Sequence, residues 1–332
     1  MKRDDYIYAS TRIRMHEKKL LSPAIFDRLV QAESLERALH ILQETRYSDR
    51  VTRLERSEDY EVALAEELAF QANVLDELAE DADLKRLLFL KYDYHNVKIL
   101  VKERLTDRNF SGLAYPFGSL FIPEVKDWID NPMKNPRKNR LQEAIEEARA
   151  TYQETGDAQM MDFVLDRAYF EELFSLSQSL GNEFFIDFAR DYADFTNVLA
   201  FHRLVYQKQT KDVFDRVFVH GGELINQDFM AHFNDSPDSL FRFIKSKTKS
   251  EELVEAARDY LEEPDLRSFE KARDQFASDR GLRGADIPYG PEVIYSYLLR
   301  LETEIQNLRI VLAGKQAGVD PATIQERMRS HV

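Results

Sequence analysis

Gly314 and Lys315, near the end of the stretch ETEIQNLRIVLAGKQAG, are the residues that most resemble a reactive motif. A Gly-Lys pair cradles phosphate when it closes the pattern Gly-x-x-x-x-Gly-Lys-Ser/Thr, whose backbone N–H groups wrap the anion while the hydroxyl meets Mg2+. Here Arg309 stands at the first glycine and Gln316 at the hydroxyl position, and no strand-like segment precedes the pair. The other reading is a helix C-terminus, with Gly314 near the left-handed position and Lys315 on the negative end of the helix dipole. The histidines form no metal pattern either. HEKKL at His16 is half of a His-Glu-x-x-His helix, and no Glu stands three residues before any of the 7 histidines, as carboxylate-bridged sites in bundles require. Gly-x-Ser-x-Gly and Gly-x-Gly-x-x-Gly are absent, and with no cysteine there is no thiol nucleophile, Cys-bound zinc or disulfide. The sequence predicts no catalytic, cofactor-binding or metal-binding residue.

A polar side chain inside an apolar helical run is the next anomaly. Asn307 sits among Ile305, Leu308 and Val311, and the same pattern occurs in DYHNVKIL and DFTNVLAF. Each has an acid (Asp93, Asp194, Glu304), an aromatic or Ile, any residue, Asn (Asn96, Asn197, Asn307), then Val or Leu. The pattern recurs roughly every hundred residues, a repeat at the scale of whole supersecondary units. On a helix, the acid at −3, the Asn and the apolar residues at +1 and +4 lie within about 100° of one another. A buried, unpaired amide costs roughly 1–3 kcal/mol, so a backbone partner from a neighbouring helix or loop is expected. The residues at +5, Val101, His202 and Leu312, supply no matching base or nucleophile. The asparagines therefore read as structural repeat positions, and His202 as a core or interface histidine.

The elements that carry these residues repeat as well. Leu21, Leu120 and Leu224 stand in register in LLSPAIFDRL, SLFIPEVKDWI and ELINQDFMAHF, with Gly118 and Gly222 two residues before the latter two. The chain thus divides into three units, 1–110, 111–217 and 218–332, each a short helical hairpin followed by long helices, the last with the C-terminal helix. In the first, Ser22 is the expected N-cap with Pro23 at the first helical position, and Ser34 caps a helix bearing Leu35, Ala38, Leu39 and Leu42 on one face. A long helical pattern then runs from Ser57 to about Leu105, with a break near Asp83. Within it, residues 58–83 hold ten acids and no Lys or Arg, which reads as a solvated helix face or, alternatively, a docking strip for a basic partner. PMKNPRKNR, 132–140, reads as an exposed loop. Trp128 and the aromatic run FFIDFARDYADF read as core.

Composition agrees with an all-α fold. Only 11 Gly and 10 Pro occur in 332 residues, too little turn chemistry for a β-protein. No uninterrupted apolar run exceeds four residues, as in LLFL or IVLA, so none spans a bilayer. MKRDDYIYAS has no apolar core of a secretory signal, and without one the NFS at Asn109 carries no meaning. The absence of cysteine fits a reducing cytoplasm. A net charge of −14 and a pI near 5.1 argue against nucleic acid or anionic lipid as the main partner.

ETEIQNLRIVLAGKQAG followed by ATIQERMR resembles the C-terminal segment of the C subunit, also called d, of V-type and A-type rotary ATPases. YIYASTRIRMHEKKLLSPAIFDRLVQAESLERALHIL is similar to that family's N-terminal segment, so the resemblance covers essentially the whole chain. Its specific element is acid-x-acid-x-x-Asn-apolar-Arg, then Gly-Lys. The middle repeat departs from it, with Leu199 where the others have Lys98 and Arg309. The resemblance implies an all-helical, funnel- or socket-like body of three pseudo-symmetric repeats, acting as a non-catalytic rotor component without cofactor. It implies seating on the cytoplasmic face of the membrane proteolipid ring, with the central-shaft D and F subunits received at the other end. Torque would pass through it during ATP-coupled H+ or Na+ transport. The protein would be a monomer within a hetero-oligomeric complex, held peripherally by protein, with no direct lipid anchoring and no nucleic acid. The competing class is a helical-repeat scaffold unrelated to rotary ATPases, although units of about a hundred residues exceed the usual 34- to 47-residue helical repeats. A helical enzyme using scattered carboxylates and a metal is the third class.

Overall fold

Apolar residues at three- and four-residue steps form helices throughout the computed structural model, which describes residues 2–106, 110–131 and 139–329. Among these residues there are seventeen α-helices and no strand. In chain order they are α1 (Ile7–Glu17), α2 (Pro23–Gln31), α3 (Leu35–Leu42), α4 (Ser48–Thr52), α5 (Tyr60–Leu78), α6 (Ala82–Thr106), α7 (Ile122–Asp130), α8 (Arg140–Thr155) and α9 (Ala158–Leu180). There follow α10 (Glu183–Tyr206), α11 (Lys211–Val217), α12 (Asn226–His232), α13 (Pro237–Lys247), α14 (Glu251–Glu262), α15 (Leu266–Arg283), α16 (Pro291–Gln316) and α17 (Pro321–Arg327). The chain folds as two units: Met1–Ala82 with Asp274–Val332, and Asp83–Arg273.

In the first unit α16 is the core. Val293, Tyr297, Leu301, Leu308 and Val311 are all inaccessible to solvent, and α1, α3, α5 and α17 pack against this helix. A helix that is apolar on nearly every side must be surrounded, and this one is. The hairpin of α2 and α3 forms as its caps suggest: Pro23 opens α2, and Ser34 Oγ accepts from the Arg37 N–H at 3.3 Å. In the second unit α9 packs on both α8 and α10. The aromatic run on α10 is inward at Phe185, Phe188 and Phe195, and Phe201 meets Phe214, Phe229 and Phe233 in one aromatic cluster.

Several sequence expectations need adjustment. Trp128 is half-buried, not core: the buried stripe of α7 is Val125 and Ile129, and Trp128 flanks it. The break expected near Asp83 lies between Leu78 and Ala82. The acidic stretch is not one uniform face, because Glu67 is buried and held by Arg50 at 2.7 Å, while Glu66 and Glu61 pair with Arg53 and Arg309. Residues 132–138 of the basic loop and Asn109 lie outside the described residues.

Candidate functional site

The three asparagines sit on α6, α10 and α16, and each does the same thing. Asn96 Nδ2 donates to the Tyr115 carbonyl at 3.0 Å while its Oδ1 accepts from the Tyr115 N–H at 2.8 Å. Asn197 treats Val219 likewise, at 2.8 and 2.9 Å, and Asn307 treats Arg329 likewise, at 3.0 and 2.8 Å. A primary amide presents one donor and one acceptor side by side, so it can bond both backbone groups of a single residue. A carboxylate has no donor for the second bond. The segment leaving each helix is thereby paired where no other secondary structure pairs it.

One turn earlier on each helix the acid grips a second backbone point. Asp93 accepts from the N–H groups of Ser119, at 2.9 Å, and Leu120, at 3.2 Å. Asp194 accepts from Glu223 and Leu224, both at 3.0 Å, and Glu304 from the Leu21 N–H at 2.5 Å. These are the three register leucines, and α2, α7 and α12 begin two residues after them. The acid therefore fixes the backbone just before the N-terminus of a short helix. Close approach explains the glycines. A Cβ at Gly222 would lie 1.9 Å from Asp194 Oδ1, and one at Gly118 2.3 Å from Asp93 Oδ1. Where the corresponding residue is Lys19, the acid is Glu304, one methylene longer and able to reach past a side chain.

Acid and amide together clamp a long helix to the loop and hairpin beside it. In the second unit each helix clamps the hairpin that follows it in sequence. In the first unit Glu304 and Leu21 are 283 residues apart, so that clamp joins the two ends of the chain.

The charges around the three acids differ. Arg86, two turns before Asp93, meets it at 2.5 Å and also pairs with Glu172, which takes the Tyr94 hydroxyl. Glu304 is bound by Arg46 at 2.5 Å and by the Tyr47 hydroxyl at 2.8 Å, in a buried network that runs on to Glu67, Gln71 and the Tyr297 hydroxyl. Among the described residues no Lys or Arg pairs with Asp194. Burial, with Asp191 and Glu223 adding to it against the two backbone N–H groups, pushes its carboxyl up to about 7. The sequence did not point to Arg46, which lies in a turn and in neither repeated column. Arg86 had a faint signal, since positions seven apart share a helix face.

The remaining sequence candidates are structural in their surroundings. Lys315 donates to the Val30 carbonyl at 2.5 Å, covering the C-terminal end of α2. Gly314 is not the left-handed residue: it lies inside α16 and lets Ile324 of α17 approach, its missing Cβ falling 2.7 Å from that side chain, while Gly318 takes the left-handed turn at φ 67°. His202 is buried and stacked on Tyr260 with ring centroids 3.9 Å apart, and burial lowers it to about 4. Lys98 pairs with Asp166 and Arg309 with Glu61, whereas Leu199 is buried, so the basic column is one half-buried ion pair, one exposed ion pair and one core position. The cavity beside Glu304 and Leu21 holds about 10 Å3, scarcely one water. No cluster of three or more metal-binding side chains occurs among the described residues.

The three asparagines give the first test. Replacing any one by Leu leaves a backbone N–H and C=O without their partner and is expected to lower stability by about 1–3 kcal/mol. The reading is a shift in the urea midpoint of each variant, and unchanged midpoints in all three would remove the clamp's energetic role.

Residues 9–327 match the family described as ATP synthase (C/AC39) subunit. The chain belongs to this family. It is similar to the C subunit of the V-type sodium ATPase of Enterococcus hirae, 24% identical over 325 residues and 98% of each chain. It is also similar to the A-type ATP synthase C subunit of Methanocaldococcus jannaschii, 23% identical over 98% of this chain and 86% of that one. The corresponding protein from Halorubrum lacusprofundi is 28% identical over 72% of this chain and 71% of its own. Membership sets aside the unrelated scaffold. The chain is a member of the V/A-type ATPase C-subunit family, all-α, and no helix among the described residues is long and apolar enough to cross a membrane.

Proposed function

We propose that this protein is a non-catalytic rotor element that joins the central-shaft D and F subunits to the membrane proteolipid ring and transmits torque between them. The observation that carries the reading is the end-to-end match with C subunits of V- and A-type ATPases, 98% of both chains in one case. The clamps suit the task. A coupling body has to resist shear, and the backbone before each short helix is tied to a long helix by an acid, with an amide one turn on holding a second backbone segment. We take the body as three similar repeats, in chain order 1–110, 111–217 and 218–332, forming a funnel or socket around the shaft. The protein lies on the cytoplasmic side and works in ATP-coupled H+ or Na+ transport in either direction.

Attachment by protein contact fits a chain of net charge −14 better than attachment to anionic lipid. The purified protein is expected to sediment with membranes that hold the proteolipid ring and to ignore protein-free anionic liposomes. Raising salt from 0.1 to 1 M, where the Debye length falls from about 10 to 3 Å, is expected to weaken that association. Equal sedimentation with both membranes at physiological salt would sink the docking scheme.

A further inference from the structure

Helix α1 stands outside the repeat. In the second unit the chain passes directly from the residue bound by the asparagine to the leucine bound by the acid, from Tyr115 to Leu120 and from Val219 to Leu224. In the first unit the corresponding residues are Arg329 and Leu21, and α1 is an addition that precedes the leucine. Its inner face is fixed on the core. Ala9, Ser10 and Ile13 are buried, Ser10 Oγ accepts from the Gly290 N–H at 3.1 Å, and Glu17 is turned inward to Arg14 and Arg300.

The outer face is open to solvent. Tyr8, Arg12 and Met15 run along it at successive helical turns with Ile7 beside them, and Lys18 and Lys19 continue it in the turn that follows the helix. Tyr8 is 65% and Met15 62% exposed, unusual for large apolar side chains on one short helix. From Ile7 to Lys19 every exposed charge is positive, and among the described residues Lys18 and Lys19 form no ion pair. In a chain of net charge −14 this is a local reversal of sign. Aromatic, Met and Arg side chains are those enriched at protein interfaces, and complementary charge sets partner and register.

We infer that the outer face of α1 is a docking surface for an acidic protein segment, one that offers carboxylates to Arg12, Lys18 and Lys19 around an apolar side chain seated between Tyr8 and Met15. Lipid is the weaker occupant: each cation near an anionic membrane contributes about 1 kcal/mol, and an extended anionic surface also meets the rest of a body of net charge −14, which a short segment does not. The inference goes beyond the rotor reading and stands without it.

The test uses the full chain and three variants at exposed positions: Arg12→Glu/Lys18→Glu/Lys19→Glu, Tyr8→Ser/Met15→Ser, and Lys18→Arg/Lys19→Arg. The probes are a soluble Glu–Tyr copolymer, phosphatidylserine vesicles, and ATPase membranes depleted of this protein. Binding of the wild type to the copolymer is expected, weakened at least tenfold by the charge reversal and several-fold by the serine pair. Carbodiimide, which joins amines to contacting carboxylates, is expected to link Lys18 or Lys19 to the copolymer, a link lost in the arginine variant without loss of binding. No copolymer binding, or binding equal in wild type and charge reversal, overturns the inference. So does binding to the vesicles that the charge reversal abolishes, which would make α1 a lipid contact. Failure of the wild type on the depleted membranes, with the copolymer result intact, strikes the rotor reading and leaves α1 standing. Equal binding of wild type and charge reversal to those membranes places this face away from the contact and overturns the inference for the assembled complex.

Discussion

Glu304→Leu is expected to destabilise the unit that contains both chain ends by about 3–5 kcal/mol, the cost of breaking a buried ion pair from one side. Glu304 is 3% exposed, and its two oxygens hold Arg46, the Tyr47 hydroxyl and the Leu21 N–H. Without it the Arg46 guanidinium stays buried with Glu67 at 3.4 Å as its remaining acid. The Leu21 amide, protected in the wild type, should exchange with solvent far faster. Replacing Arg46 as well by an apolar residue should recover much of the loss, because the stranded charge then disappears. A single Glu304→Leu variant within about 1 kcal/mol of wild type would show that the clamp is not a main support of this unit.

Asp194 should make stability depend on pH between about 4 and 7. In the folded chain it keeps its proton up to about pH 7, whereas an unperturbed Asp loses it near about 3.9. The folded state thus binds the extra proton between these values. This group's contribution to stability is full below about pH 4, falls by about 1.4 kcal/mol per pH unit as pH rises, and is gone above about pH 7. Arg190 is drawn to Asp187 and Asp191, Lys249 reaches only toward Glu223, and neither neutralises Asp194. The difference in stability between wild type and Asp194→Asn should therefore decline steadily from about pH 4 to 7. Its carboxyl carbon, followed by NMR, should titrate with a midpoint near 7, and a midpoint within about one unit of the ordinary Asp value would refute the account.

The helical class and the repeated columns were legible because both rest on local period. Asn96, Asn197 and Asn307 break an apolar face roughly every hundred residues, and Leu21, Leu120 and Leu224 recur at a similar interval. That a backbone partner would satisfy each amide followed from the cost of burying it bare. Which backbone it would be did not follow, since Tyr115, Val219 and Arg329 share no side-chain chemistry: the bond uses only their main chain. The link from Glu304 to Leu21 was hidden for another reason. Asp93 and Asp194 stand 27 and 30 residues before the register leucines they hold, and no such leucine follows Glu304. Gly314 misleads because a helical glycine near a C-terminus looks the same whether it turns the chain or admits a neighbour such as Ile324. Trp128 misleads because helix period separates Val125 and Ile129 from it by only a fraction of a turn.

The clamp between Glu304 and Leu21 also sets an order of events on the ribosome. Leu21 is made 283 residues before the acid that holds it, and at about 5–20 residues per second the wait is roughly 15–60 s. During that time α3 and α5, which pack on α16 and carry the buried Leu39, Leu64 and Leu68, lack that partner. Residues 83–273 form a unit whose two clamps are both internal, so neither waits for α16. Helices α1 to α5 are thus made well before they are finished, and a product cut short before Glu304 emerges would leave them without α16.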